Sequence, residues 1–192
     1  MDRGMIAFWG LIVSLVSASV YFGVGAEVRR AQIQASEISL QSGDIVSLVN
    51  AVDGDTLVVS TQSGTQTSIR LLGVKSFDAQ RDKDPTSPYG QAAIDAHKRL
   101  LEGKPLRVML HTTPKDKYGR TLATLLVDER DVGMELVSQG LAMVYTVYPF
   151  PAMQLYLREQ ANARADRKGF WGNPEVAARA DALAAEWRKQ AP

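Results

Sequence analysis

The chain has no cysteine, two histidines and almost no charge imbalance: 22 Lys and Arg stand against 21 Asp and Glu, a formal net charge of +1 over 192 residues. Each shortage excludes something. Without cysteine there is no disulfide framework and no thiolate-bound zinc module. His97 and His111 have no ligand-spaced partner, so they read as surface or structural groups rather than a metal centre. A balanced total lacks the basic surplus expected of a general nucleic-acid-binding domain. What is present is ordinary for a folded chain, with 45% apolar and 22% charged residues. The length suits one domain with appendages, and no internal repeat or low-complexity segment interrupts it.

Charge is also missing locally. No charged residue lies between Gly4 and Ala26. As a helix this run reaches roughly 34 Å, enough to cross a bilayer core of about 30 Å. Trp9 and Tyr21 sit near its two ends, as interfacial aromatics do, and Glu27, Arg29 and Arg30 close it. We therefore expect a retained transmembrane anchor over residues 1–27, making a single-pass protein of a bacterial or mitochondrial inner membrane. The few flanking charges leave its sidedness open. A cleaved signal peptide is the alternative, because Val24-Gly25-Ala26 has small residues where cleavage occurs. Residues 28–43 read as a stalk.

From Asp44 onward the pattern is that of short strands rich in β-branched residues. These are Ile45–Val49, Thr56–Thr61, Thr67–Val74, Leu106–His111 and Leu122–Val127. Helical spacing marks Tyr89–Glu102, Val132–Gln139 and Met153–Lys168, with Gly103 and Gly169 as stops. Asn173-Pro174 opens a last helix, 173–192, whose face of Val176, Ala180, Leu183, Ala184 and Trp187 would dock on the domain or on a partner. The expected class is mainly β with α. A five-stranded OB-type barrel with about three helices is a natural candidate. Periodicity alone does not separate it from another α+β fold.

Three features carry chemistry. Asp53-Gly54-Asp55-Thr56 lies between two strands and, by itself, reads as a turn. Arg70 interrupts the apolar strand Ile69–Val74 and needs a carboxylate or phosphate partner. Arg120 follows a glycine turn at Asp116-Lys117-Tyr118-Gly119. Singly, each is an ordinary structural feature. In order and spacing they resemble the staphylococcal-nuclease-like (thermonuclease) family. The resemblance runs over residues 44–172 and includes DGDT at 53–56, IRLLGV at 69–74, PYGQAA at 88–93, DKYGR at 116–120, QGLA at 139–142 and GFW at 169–171. It implies an OB-fold barrel and calcium-dependent cleavage of phosphodiester bonds in DNA and RNA. It further implies that Arg70 and Arg120 grip the scissile phosphate, that Asp55 binds the calcium ion, and that Lys117, Tyr118 and Tyr148 contact nucleotide phosphate or base.

The next segment departs from the family. Its members usually read Asp, a small residue, Pro and Glu after this strand, the aspartate a calcium ligand and the glutamate the general base. Here the chain reads Lys75-Ser76-Phe77-Asp78. Lys75 stands at the ligand position, and Asp78 replaces the base with a side chain one methylene shorter. Two like unit charges about 4 Å apart repel by roughly 4 kcal/mol at an effective dielectric of 20, and a divalent ion doubles that. Moving a base by about 1 Å can lower a rate a hundredfold. The expectation is a membrane-anchored, catalytically impaired domain acting as a binding or accessory subunit of a membrane assembly. Lys75 would pair with Asp55 or Asp78, leaving a metal-free site for a phosphate, a nucleotide or a lipid headgroup. The alternative is an active calcium-dependent endonuclease at the membrane, and calcium belongs to that alternative. The expected partners are the bilayer, through residues 4–26, other subunits of a membrane complex, and nucleic acid or nucleotide.

Overall fold

The computed structural model describes residues 40–116 and 118–190. The anchor expected at 1–27, most of the stalk and Lys117 lie outside the described residues. Among those described, no helix is long and apolar enough to cross a membrane. The main unit holds the described chain up to Pro114 and again from Arg120, while Lys115–Gly119 belongs to a second unit.

Five strands close the barrel. They are β1 (Ile45–Ala51), β2 (Thr56–Thr61), β3 (Gln66–Leu71), β5 (Pro105–Lys115) and β6 (Thr121–Val127), with two-residue β4 (Val74–Lys75) between the third and the fifth. The sheet runs β3-β2-β1-β5-β6, and parallel pairing of β3 with β6 closes the ring. Alternation builds the inside: along β6, Thr121, Ala123, Leu125 and Val127 are buried, with the residues between them half-buried. β3 departs from alternation, for Ile69, Arg70 and Leu71 are all buried. A single helix, α1 (Ser87–Leu101), follows β4 and buries Gly90, Ala93, Ala96, His97 and Leu101 along one face.

The expected strand ending at Val74 is broken. Gly73 adopts φ +74°, and a Cβ there would meet the Phe150 ring at 2.3 Å. The chain turns at this glycine and starts β4, which pairs with β8 (Met143–Val144) in register Val74↔Val144 and Lys75↔Met143. Between them, β7 (Arg130–Asp131) leads into α2 (Val132–Ser138). The Asp131 carboxylate caps that helix by accepting the N–H groups of Gly133 and Met134 at 2.9 and 3.1 Å. The same oxygen accepts the hydroxyl of Tyr156, 2.7 Å away, on α3 (Met153–Ala165).

The last helix, α4 (Pro174–Gln190), docks on the domain. Val176, Ala180 and Trp187 are buried in an aromatic cluster with Phe77, Phe170 and Trp171. Arg164 on α3 makes a two-pronged pair with Asp181 at 2.6 and 2.7 Å. Arg179 donates from Nη1 alone to both oxygens of Asp84, at 2.9 Å to each, which ties α4 to the loop ahead of α1. Leu40, in the segment read as stalk, is buried in the main core.

Candidate functional site

The site is built where the loop between β1 and β2 meets the start of β4. Gly54 makes this approach possible: a Cβ on it would lie 2.5 Å from the Ala93 Cβ of α1 and 2.6 Å from the Ser76 Cβ. His97, one turn further along α1, has its Nε2 at 3.1 Å from the Gly54 carbonyl oxygen, so that nitrogen carries the proton and donates. The loop is thereby held from below, and Asp55 is fully buried at its end.

Asp55 forms two ion pairs and accepts two hydrogen bonds. Arg70 Nε lies 3.3 Å from Oδ1 and Lys75 Nζ 2.9 Å from Oδ2. The Thr56 hydroxyl donates to Oδ1 at 3.2 Å and the Ser76 N–H to Oδ2 at 3.1 Å. Each of its oxygens therefore faces one cation and accepts one hydrogen bond. Burial works to raise the Asp55 carboxyl, but Arg70, Lys75 and the Ser76 N–H outweigh it and hold the group below the ordinary carboxylate range. Asp53 behaves oppositely. Burial and the neighbouring Asp55 charge push its carboxyl up.

Arg70 is a fixed buried cation. Its Nη1 donates to the carbonyl oxygens of Leu71 at 2.7 Å and Asp55 at 3.3 Å, and Nη2 to that of Val74 at 2.5 Å. Arg120 is half-buried and donates from Nη1 to the Thr56 hydroxyl at 3.0 Å. One hydroxyl therefore accepts from Arg120 and donates to Asp55, so Arg120, Thr56, Asp55, Arg70 and Lys75 form a continuous polar chain. Lys75 is its accessible end, with a side chain 45% exposed.

The other predicted residues fall elsewhere. Asp78 is turned outward: it accepts the Gln80 N–H at 2.8 Å and lies 3.7 Å from Arg81 Nε. Among the described residues neither Lys75 nor Asp55 pairs with it. Tyr148 is exposed, and its ring centroid lies 6.2 Å from that of Tyr145. Tyr118 is exposed in the small second unit, where its N–H donates to the Asp116 carboxylate at 2.9 Å. His111 accepts the Thr113 N–H at 3.2 Å. Two contributors escaped the sequence reading, the Thr56 bridge and the Ser76 N–H, while His97, read as surface or structural, is a buried structural support. The threonine of DGDT was the available signal for the first. Nothing local in the sequence marks the second.

The donor set does not fit a calcium ion. Calcium takes six to eight oxygen ligands. Each oxygen of the buried Asp55 carboxylate is paired with a cation and accepts a hydrogen bond, so a divalent cation there would meet Arg70 and Lys75. Among the described residues no group of three or more His, Cys, Asp or Glu side chains could hold a metal ion.

Comparison with known proteins agrees with this architecture. The family model described as staphylococcal nuclease homologue matches residues 68–173. The chain belongs to that family. It is similar to the thermonuclease of Staphylococcus hyicus, 27% identical over 165 residues that cover 85% of this chain and 96% of that one. To the thermonuclease of Staphylococcus intermedius it is 32% identical over 126 residues, 66% of this chain and 74% of the relative. Endonuclease YncB of Bacillus subtilis is 30% identical over 129 residues, 66% of this chain and 61% of the relative.

Proposed function

We propose that this nuclease-family domain is tethered to a membrane and binds its ligand with little or no cutting, serving as a binding or accessory subunit of a membrane-associated assembly. One observation carries the reading: the Lys75 ammonium lies 2.9 Å from Asp55 Oδ2. A cation delivered by the chain itself occupies the carboxylate that a metal would need. The outward turn of Asp78 adds to it, because a general base must reach the water it activates. Support for the tether is the charge-free run from Gly4 to Ala26.

The test is a cleavage assay on the full chain in mild detergent, with single-stranded DNA and calcium. The expected result is cutting at least roughly a hundredfold slower than by a Lys75→Asp/Asp78→Glu double variant. Cutting by the unmodified chain that the double variant does not improve contradicts the reading. For the accessory role, isolation from the native membrane in mild detergent should bring other subunits with it, and recovery of this chain alone counts against it.

A second reading, an active calcium-dependent endonuclease at the membrane, is favoured by the retained pair Arg70 and Arg120 and by the endonuclease and thermonuclease names of the relatives. Under it, Arg120→Ala should stop calcium-dependent cutting by the unmodified chain.

A further inference from the structure

We propose that α4 is a positioning element for the site, with Trp187 as the residue that keeps Lys75 on Asp55 by way of the β4–β8 pair. The inference rests on the reading that the Lys75 ammonium occupies the Asp55 carboxylate, and it names what holds it there. α4 begins at Pro174, just past residues 68–173 that the family model matches. The coupling therefore comes from a helix added to the matched domain.

Lys75 is a long side chain, 45% exposed, and fixing it in one place costs rotamer freedom. Its position depends on the backbone that carries it. β4 has two residues and pairs through Val74↔Val144 and Lys75↔Met143. So short a pair is marginal by itself and is held by what its neighbours bury. α4 seals those neighbours. Met143, the register partner of Lys75, and Phe77, two residues past it, are buried in one cluster with Val176, Ala180 and Trp187. Trp187 meets the Tyr145 ring edge-on, with centroids 5.0 Å apart, and the Tyr145 N–H donates to the Gly73 carbonyl at 2.9 Å, immediately before β4. Phe77 meets the Phe170 ring edge-on at 5.2 Å. Arg179 adds a grip on Asp84, in the loop that Phe77 opens. Ser76, between Lys75 and Phe77, donates its N–H to Asp55, so the same stretch of backbone delivers two of the contacts on that carboxylate. Removing a ring from a packed cluster leaves a cavity that its neighbours only partly fill. A displacement of about 1 Å takes the 2.9 Å Lys75–Asp55 contact out of hydrogen-bond range.

The experiment is competitive acetylation of the full chain in mild detergent with a limiting N-hydroxysuccinimide ester, read lysine by lysine by mass spectrometry. Acylation needs the Lys75 Nζ free of Asp55. Lys104 is the internal standard, because it pairs with Asp128 at 2.8 Å and has a side chain 40% exposed. Exposed Lys98 sets the unprotected rate. In the unmodified chain Lys75 should react roughly tenfold more slowly than Lys98, the worth of one charge-assisted contact. Trp187→Ala should speed Lys75 roughly threefold or more relative to Lys104, and Trp187→Phe, which keeps a ring, should restore most of the protection. Arg179→Ala leaves the buried cluster intact and should speed Lys75 about twofold, so a poorly folding Trp187→Ala does not blunt the test. Lys75 as slow in both variants as in the unmodified chain overturns the proposal, and so does equal acceleration at Lys104, the mark of general loosening. Lys75 as reactive as Lys98 in the unmodified chain contradicts instead the Lys75–Asp55 pairing on which the proposed function stands.

Discussion

Asp55 and Asp78 are acidic residues of one functional region, and the fold treats them oppositely. Asp55 is buried, paired with two cations and hydrogen-bonded by two further donors. Asp78 has a side chain 56% exposed, one backbone N–H and a loose 3.7 Å contact with Arg81. The backbone makes the difference. Asp55 is locked between the close-packed Gly54 and the first residue of β2, whereas Asp78 lies on a loop beyond β4 with no strand partner. Low dielectric strengthens each contact at the first residue, and solvent screens those at the second. A charge inversion such as Lys75 therefore has its consequence at the buried Asp55, where solvent screens less than at Asp78.

That contrast can be broken directly. Asp55→Ala leaves Arg70 and Lys75 without their counter-charge and should lower stability by about 3–5 kcal/mol in urea denaturation. A loss under about 1 kcal/mol would show that the inner cluster is not the anchor described above. Acid should act next. The buried His97 is pushed down to about 4 by burial, against an ordinary value of 6.5. Its contribution is intact above pH 6.5 and is lost as pH falls from 6.5 towards 4, because the unfolded chain takes up the proton first, by about 3 kcal/mol in total. His97→Gln should remove that part of the pH profile. The depressed Asp55 carboxyl adds a further loss at lower pH, below the ordinary aspartate value.

Gly54→Ala should destabilise by about 1–3 kcal/mol, since the added methyl meets the Cβ atoms of Ala93 and Ser76 and neither can swing away. Thermal denaturation checks it, and an unchanged midpoint would refute the tight approach. Thr56→Val should reduce stability by about 1 kcal/mol through the lost bridge between Arg120 and Asp55. Asp78→Ala should fall within about 0.5 kcal/mol of the parent, the smallest effect of the set. A larger loss there would erase the distinction between the two carboxylates.

Much of the barrel was legible in the sequence because its strands alternate. β2 occupies the expected Thr56–Thr61, and β6 begins one residue before the expected Leu122. The β4–β8 pair was not legible, since two-residue strands carry no period and are defined by a partner about seventy residues away. Gly73 ends β3 early for a reason, the Phe150 ring, that only the fold supplies. At the site, charge arithmetic at Lys75 pointed to a pairing with Asp55 or Asp78, and the geometry selects Asp55. The direction of Asp78 was hidden because a local turn bond to Gln80 decides it. The docking of α4 was half visible: its apolar face was readable, but the Arg179–Asp84 pair links residues distant in the chain.

The central claim is that the Lys75 ammonium holds the carboxylate a calcium ion would need. Calorimetric titration of the full chain in mild detergent with calcium, alongside Lys75→Asp, tests it most directly. The account predicts no binding heat at micromolar calcium for the unmodified chain and a gain of affinity in Lys75→Asp. Stoichiometric binding at micromolar calcium by the unmodified chain would contradict it.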